Sequence, residues 1–372
     1  MSKNYEFERQ VLRQGFDGET CFVNPWCGVW PDGKHAVMTM QKLLLSGSDV
    51  FFGAHAAYSV DGGRNFSDFE PVESMGRRRE KQGRESCVND LKPQWHSATE
   101  KMLGMGTRVF YSDDGKPDHV RGGFPPQAVY STCDLTTRQW SPPRKLELSQ
   151  ELDKYPHVVA GSVQRYDMAN GRILLPLSCK PAESPARDTI VAEFEFDGDT
   201  MRMVKCGQPL CLPVERGLYE PSITRVGDRF LLTLRNDNTA YAAVSDDGLN
   251  FSEPQRWRFD DGEELGSYNT QQHWVTSGNR VWLIYTRKGL DNDHVFRHRA
   301  PLLIGEVDVD TLTVIRDSEE VLVPERGARL GNFGVTHVDD GEAWVTAAEW
   351  MQPVGCEKYG CDNSVYIARI VF

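Results

Sequence analysis

The sequence lacks any run of 18 apolar residues, the length a helix needs to cross a bilayer, and a helical transmembrane protein is thereby excluded. It also lacks a basic balance. Lys and Arg number 42 against 54 Asp and Glu, a net charge of −12, which disfavours a nucleic-acid partner because phosphate contacts need a basic face. A local basic pocket is still compatible with that sum. The nine cysteines lack the spacing of a metal site. Only Cys206/Cys211 and Cys356/Cys361 lie close, each at C-x4-C without a nearby histidine pattern, so buried thiols or one late disulfide are expected and no metal or other cofactor. Residues 1–20 lack the apolar core of a signal peptide; the chain as written is expected in the cytoplasm, or secreted or periplasmic if a signal has been trimmed. No stretch carries a sustained helical period of apolar residues.

What is present is a long series of short β-rich runs, such as residues 36–40, 54–59, 173–177, 230–234, 281–285 and 343–347, each bounded by Gly, Asp, Asn or Pro. The expected fold class is all-β. Two turns, Ser59-Val60-Asp61-Gly62-Gly63-Arg64-Asn65-Phe66 and Ser245-Asp246-Asp247-Gly248-Leu249-Asn250-Phe251, read as copies of S-x-D-x-G-x-x-(F/W) directly after a strand. In such a turn the aspartate caps the backbone, glycine takes the positive φ and the aromatic plugs the hairpin. These motifs resemble the Asp boxes of sialidase-type β-propellers. That resemblance implies a single six-bladed β-propeller over residues 1–372, with blades near 19–75, 87–142, 155–212, 217–258, 268–323 and 331–372. The last strand, at 364–372, is expected to pair with the N-terminal segment and close the ring.

Propeller sites gather at one end of the central channel, so polar residues where inner strands begin are the candidates. Tyr219-Glu220-Pro221-Ser222 followed by Thr233-Leu234-Arg235 resembles the fourth blade of bacterial exo-sialidases, in which a glutamate and one arginine of a carboxylate-binding triad hold those places. Guanidinium groups clamp a carboxylate in a bidentate fork, which suits an acidic sugar. Two features of the common sialidases are missing. Val23-Asn24-Pro25-Trp26 replaces their Arg-Ile-Pro segment, and Leu330-Gly331-Asn332-Phe333-Gly334 stands where their tyrosine nucleophile begins the sixth blade.

The chain also resembles a less familiar sialidase-like family with a Thr-Gln-Gln-His-Trp segment, here Thr270 to Trp274, an Arg-x-Arg-Ala-Pro-Leu strand, here Arg297 to Leu302, and a Gly-Asn-Phe start to the last blade. In a sialidase of that type a Gln-His pair is implicated in catalysis, which maps onto Gln272 and His273. The resemblance therefore implies an exo-acting glycoside hydrolase that releases a terminal acidic sugar by inverting attack of water. His273 is the expected base with Gln272 as its partner, and Asp49 or Glu220 the acid. Arg235 leads the expected clamp, completed by one or two of Arg287, Arg297 and Arg299, with Gln271, His96 and Arg165 lining the channel. Two other readings are a propeller lyase on uronate glycans, using His96 and Tyr155, and a non-catalytic glycan-binding propeller. The partner throughout is an acidic sugar or glycan, with no nucleic acid or membrane; the oligomeric state is open.

Overall fold

The computed structural model describes residues 4–47, 49–80, 83–121 and 123–372. Among them are 28 strands and six short 3-10 turns, and no α-helix. The fold is all-β and propeller-like. Four sheets are separately delimited. The first runs Thr20–Val29, Ala36–Leu44, Phe51–Ser59, Glu70–Pro71, and another runs Tyr219–Val226, Arg229–Arg235, Tyr241–Ser245, Gln255–Arg256. A six-stranded sheet is built on His273–Ser277, Arg280–Tyr285 and Leu302–Asp308. The last holds Gly334–His337, Glu342–Ala348 and Val365–Val371 with the N-terminal Glu6–Arg13 on its edge.

The six separate sheets expected from the sequence are not formed as such. Strands between residues 78 and 206 run together in one ten-stranded sheet, because His157–Val159 pairs antiparallel with Ile173–Lys180 and also touches Gln127–Cys133 in parallel through Val158 and Gln127. The expected boundary at 258 shifts too, since Arg258–Phe259 pairs with Thr313–Val314 of the following sheet. The expected ring closure forms, with Glu6 opposite Val371 and Val11 opposite Tyr366 in an antiparallel ladder.

The alternation of a strand places its successive side chains in different cores. In Glu342–Ala348, Ala343, Val345 and Ala347 enter a cluster shared with Trp282 and Ile304, whereas Trp344 and Ala348 enter one shared with Cys27 and Met38 of the first sheet. Each sheet is thus buried on both faces by its neighbours. Polar bonds lace the same seams. Asn363 Nδ2 donates to Phe22 O at 2.9 Å, and Thr39 Oγ1 donates to Leu91 O at 2.6 Å.

Both S-x-D turns form with the same bonds. Ser59 Oγ donates to Asp61 Oδ1 at 2.8 Å and Ser245 Oγ to Asp247 Oδ1 at 2.9 Å, and each aspartate accepts the backbone N–H of Asn65 or Asn250. The second turn is one residue shorter than the pattern. Its glycine directly follows the aspartate, and Gly248 N reaches Ser245 Oγ from three residues on rather than four.

Candidate functional site

The innermost strands share a device at their heads. Asn24, Asp90 and Glu220 each sit at a register shift in the pairing of their strand and each has a positive φ, of 57°, 51° and 45°. Ser162, Asn269 and Asn332 also have positive φ at or just before the start of an inner strand. A bulge re-aims the side chain it carries, and left-handed non-glycine residues concentrate at functional sites. Of these, Asp90, Glu220 and Asn332 line one cleft of about 220 Å³, with Asp49, Arg187 and Tyr219 among its other walls.

Glu220 leads from this cleft to a group of arginines. Arg235 Nη1 meets Glu220 Oε2 at 2.5 Å, its Nη2 donates to Asn269 Oδ1 at 2.7 Å, and its guanidinium lies 4.6 Å from the Tyr219 ring centroid. Burial works against the Arg235 charge, but Glu220 more than offsets it and holds the pKa above the ordinary value. Arg299 is buried, donates to Asn269 O and is pushed well below its ordinary pKa by burial and then by repulsion from Arg235 and Arg329. Arg329, stacked 3.9 Å over Trp350, is pushed down to about 10 by burial against the pull of Asp49. Arg297 is lowered by burial and by Arg235 and Arg216. Four arginines from three successive sheets and their loops thus repel one another, and the carboxylates acting on them most directly are Glu220 and Asp49. A site with surplus buried positive charge is one that an anion stabilises.

Asp90 is a second kind of group. Its Oδ1 accepts from Asn24 Nδ2 at 2.6 Å and from Gln41 Nε2 at 3.0 Å. Burial raises its pKa, with Lys92 opposing, and so favours the protonated carboxyl. Burial likewise pushes Lys92 well below its ordinary value. The Lys92 ammonium donates to Val163 O at 2.6 Å and lies 4.4 Å from the Trp26 ring centroid.

Gln272 and His273 lie one layer beneath, and they do not meet as a pair. Gln272 stands just before the strand His273–Ser277, and the two side chains have separate partners. Gln272 Oε1 accepts from Thr233 Oγ1 at 2.8 Å, and its Nε2 donates to Ser267 Oγ and Thr270 O. His273 packs edge-on between Trp26 and Phe333, with centroids 4.9 and 5.1 Å away, and its Nδ1 lies 2.8 Å from Ser222 Oγ. Ser222 Oγ also accepts the Gln164 N–H at 3.1 Å and keeps a second lone pair, so either partner of the Ser222–His273 bond can be its donor. Both residues have no solvent exposure, and burial followed by Lys92 lowers the His273 pKa well below its usual value. A lowered, enclosed imidazole is a weak proton acceptor. Gln271, two residues before His273, is also buried.

Asp49 and Glu220 line the cleft where the sequence expected them. Arg235, Arg297 and Arg299 belong to the cluster. Arg287 does not: both its Nε and Nη2 bind Glu319, at 2.8 and 2.6 Å, and that fork leaves it no free face. His96 spends both ring nitrogens on Thr99 Oγ1 and Gly171 O. Arg165 is held by Asp167 and by the carbonyls of Leu103 and Gln94. Tyr155 donates to Asp188 at 2.9 Å. None of these four lines the cleft. Sequence reasoning missed Asp90, Arg187 and Arg329. The available signal was positional: Asp90 and Arg329 stand near the head of an inner strand, as Glu220 does.

The sequence matches no protein-family model and no curated protein. Solved structures match in fold. A protein of unknown function from Dyadobacter fermentans aligns over 98% of both chains at 15% identity and TM-score 0.64. The Hadza microbial sialidase Hz136 aligns over 97% of this chain and 68% of its own, at 11% identity and TM-score 0.67. Trypanosoma rangeli sialidase in complex with sialic acid aligns over 98% of this chain at 14% identity and TM-score 0.64, and the match spans 58% of that longer chain. The fold is therefore the sialidase-like propeller fold.

Proposed function

We propose that this chain is a sialidase-like glycoside hydrolase, a single six-bladed domain that releases a terminal acidic sugar. The observation that carries the reading is the surplus of positive charge at Arg235, Arg297, Arg299 and Arg329 beside a cleft lined by Asp49, Asp90 and Glu220. The six-blade count is supported by the recurring left-handed residue at the head of each inner strand. It is supported again by the thin link in the ten-stranded sheet, one parallel pair between Val158 and Gln127, where two blades would abut. The two S-x-D turns are read as Asp boxes.

In this proposal the arginines bind the sugar carboxylate. The Asp90 carboxyl donates its proton to the leaving oxygen, Asp49 or Glu220 takes a proton from the attacking water, and direct attack inverts the anomeric centre. His273 and Gln272 support the floor. A second reading keeps His273 as the base. It is supported by the contact of His273 Nδ1 with Ser222 Oγ, two residues on from Glu220.

The test is release of free sugar from sialosides, with the anomer followed by NMR as it forms. The inverted anomer should appear first, and Arg329→Ala should raise KM by about 10- to 100-fold through loss of a charged contact. A first-formed product of retained configuration would exclude direct attack by water, and an unchanged KM would remove Arg329 from the clamp.

A further inference from the structure

The part of the cleft built by the ten-stranded sheet carries a basic strip that the clamp does not use. His157 faces Lys180 across one antiparallel pair, and the neighbouring ladder sets Cys179 opposite Asp188, the residue after Arg187. Val159 and Ser178, two residues inward on the same face, line the cleft, as do Arg187 and His119. His119 approaches from the turn Asp118–Arg121, its ring centroid 6.5 Å from that of His157.

The four groups act on one another. Burial lowers the His119 pKa and Arg187 lowers it further; for His157, burial with Arg187 and Lys180 brings it to about 4. Arg187 feels Glu220 at a distance but makes no ion pair with a carboxylate among the described residues. Nδ1 of His119, Nδ1 of His157 and Nη1 of Arg187 are buried without a hydrogen-bond partner. Buried polar atoms normally find partners, and three unsatisfied ones on one strip are costly unless a ligand supplies oxygens.

We propose that this strip is a second anion subsite that takes the carboxylate of a second acidic sugar. The preferred substrate then carries two acidic sugars in succession, the terminal one on the arginine cluster and the next on His119, His157, Lys180 and Arg187. This rests on reading the cleft as an acidic-sugar site.

The experiment compares two probes, one with sialic acid on a neutral sugar and one with sialic acid on a second sialic acid. Binding is measured by calorimetry and cleavage as kcat/KM, for the wild type, Arg187→Gln and Lys180→Gln. The wild type is expected to prefer the doubly acidic probe at least about tenfold, as one or two charged contacts allow, and both variants should bring the ratio close to unity. Lys180 is only half-buried, so its variant gives the readout even where Arg187→Gln folds poorly. Equal handling of the probes by the wild type overturns the second subsite and leaves the hydrolase reading standing. Tighter, Arg187-dependent binding of the doubly acidic probe without cleavage of either keeps the subsite and refutes the hydrolase. Binding of neither overturns both.

Discussion

At the residue scale the decisive contrast is between Asp90 and His273, both held in the channel and both shifted toward their neutral forms by burial. For a carboxyl, the neutral form carries a proton to give; for an imidazole, it offers a lone pair that can take one, and in His273 one ring nitrogen is already bound to Ser222. The leaving group tells donor from acceptor. Asp90→Asn is expected to lower kcat/KM on natural glycosides by about 100-fold or more, in line with loss of general-acid assistance, while aryl glycosides with stable leaving groups lose far less. In the proposed mechanism the protonated form of Asp90 is the active one, so wild-type turnover of natural glycosides should fall as pH rises through its raised pKa. That alkaline limb should be absent with aryl substrates. Equal losses on both substrate types would return the chemistry to a base such as His273. None of this was legible in the sequence, where Asp90 is one aspartate among many. Its burial and its bulge come from pairing with a strand more than ten residues away.

At the scale of the element, the loop ahead of the last inner strand decides whether the clamp can assemble. Gly331 leaves room for the Arg299 side chain: a Cβ there would lie 2.7 Å from Arg299 Cδ and 2.8 Å from Nη1. Gly331→Ala should therefore displace Arg299 and raise KM for the acidic sugar by about tenfold, the effect of a small overpacking, with kcat and melting temperature much less affected. A KM within twofold of wild type would show that Arg299 takes no part in binding. The alternation of strands and the S-x-D turns were readable from the sequence because they are local. The merging of strands between residues 78 and 206 was not, since it hangs on a single parallel contact between distant residues. Arg235, Arg297 and Arg299 were found through the motifs around them, whereas Arg329 had no motif and Arg287 had a better partner in Glu319, far along the chain.

At the scale of the whole molecule, closure depends on Glu6–Arg13, which covers the outer edge of Val365–Val371 and reaches the preceding sheet through Tyr5 and Glu320 at 3.1 Å and Arg9 and Leu322 O at 3.0 Å. Deleting residues 1–13 should lower the melting temperature by more than about 5 °C and expose an open strand edge that promotes self-association, measured by thermal melting and size-exclusion chromatography. A truncated chain that melts like the full one and stays the same size would mean the ring needs no such latch. The heads of the inner strands carry a broader consequence. Asn24, Asp90, Ser162, Glu220, Asn269 and Asn332 come from separate stretches of chain, yet each hangs its side chain off a kink that lies outside the regular ladder of its sheet. One such position can be exchanged without disturbing the sheets that hold the other five. The scaffold can therefore vary the lining of its cleft by single substitutions, one strand head at a time, while the cores between sheets stay as they are.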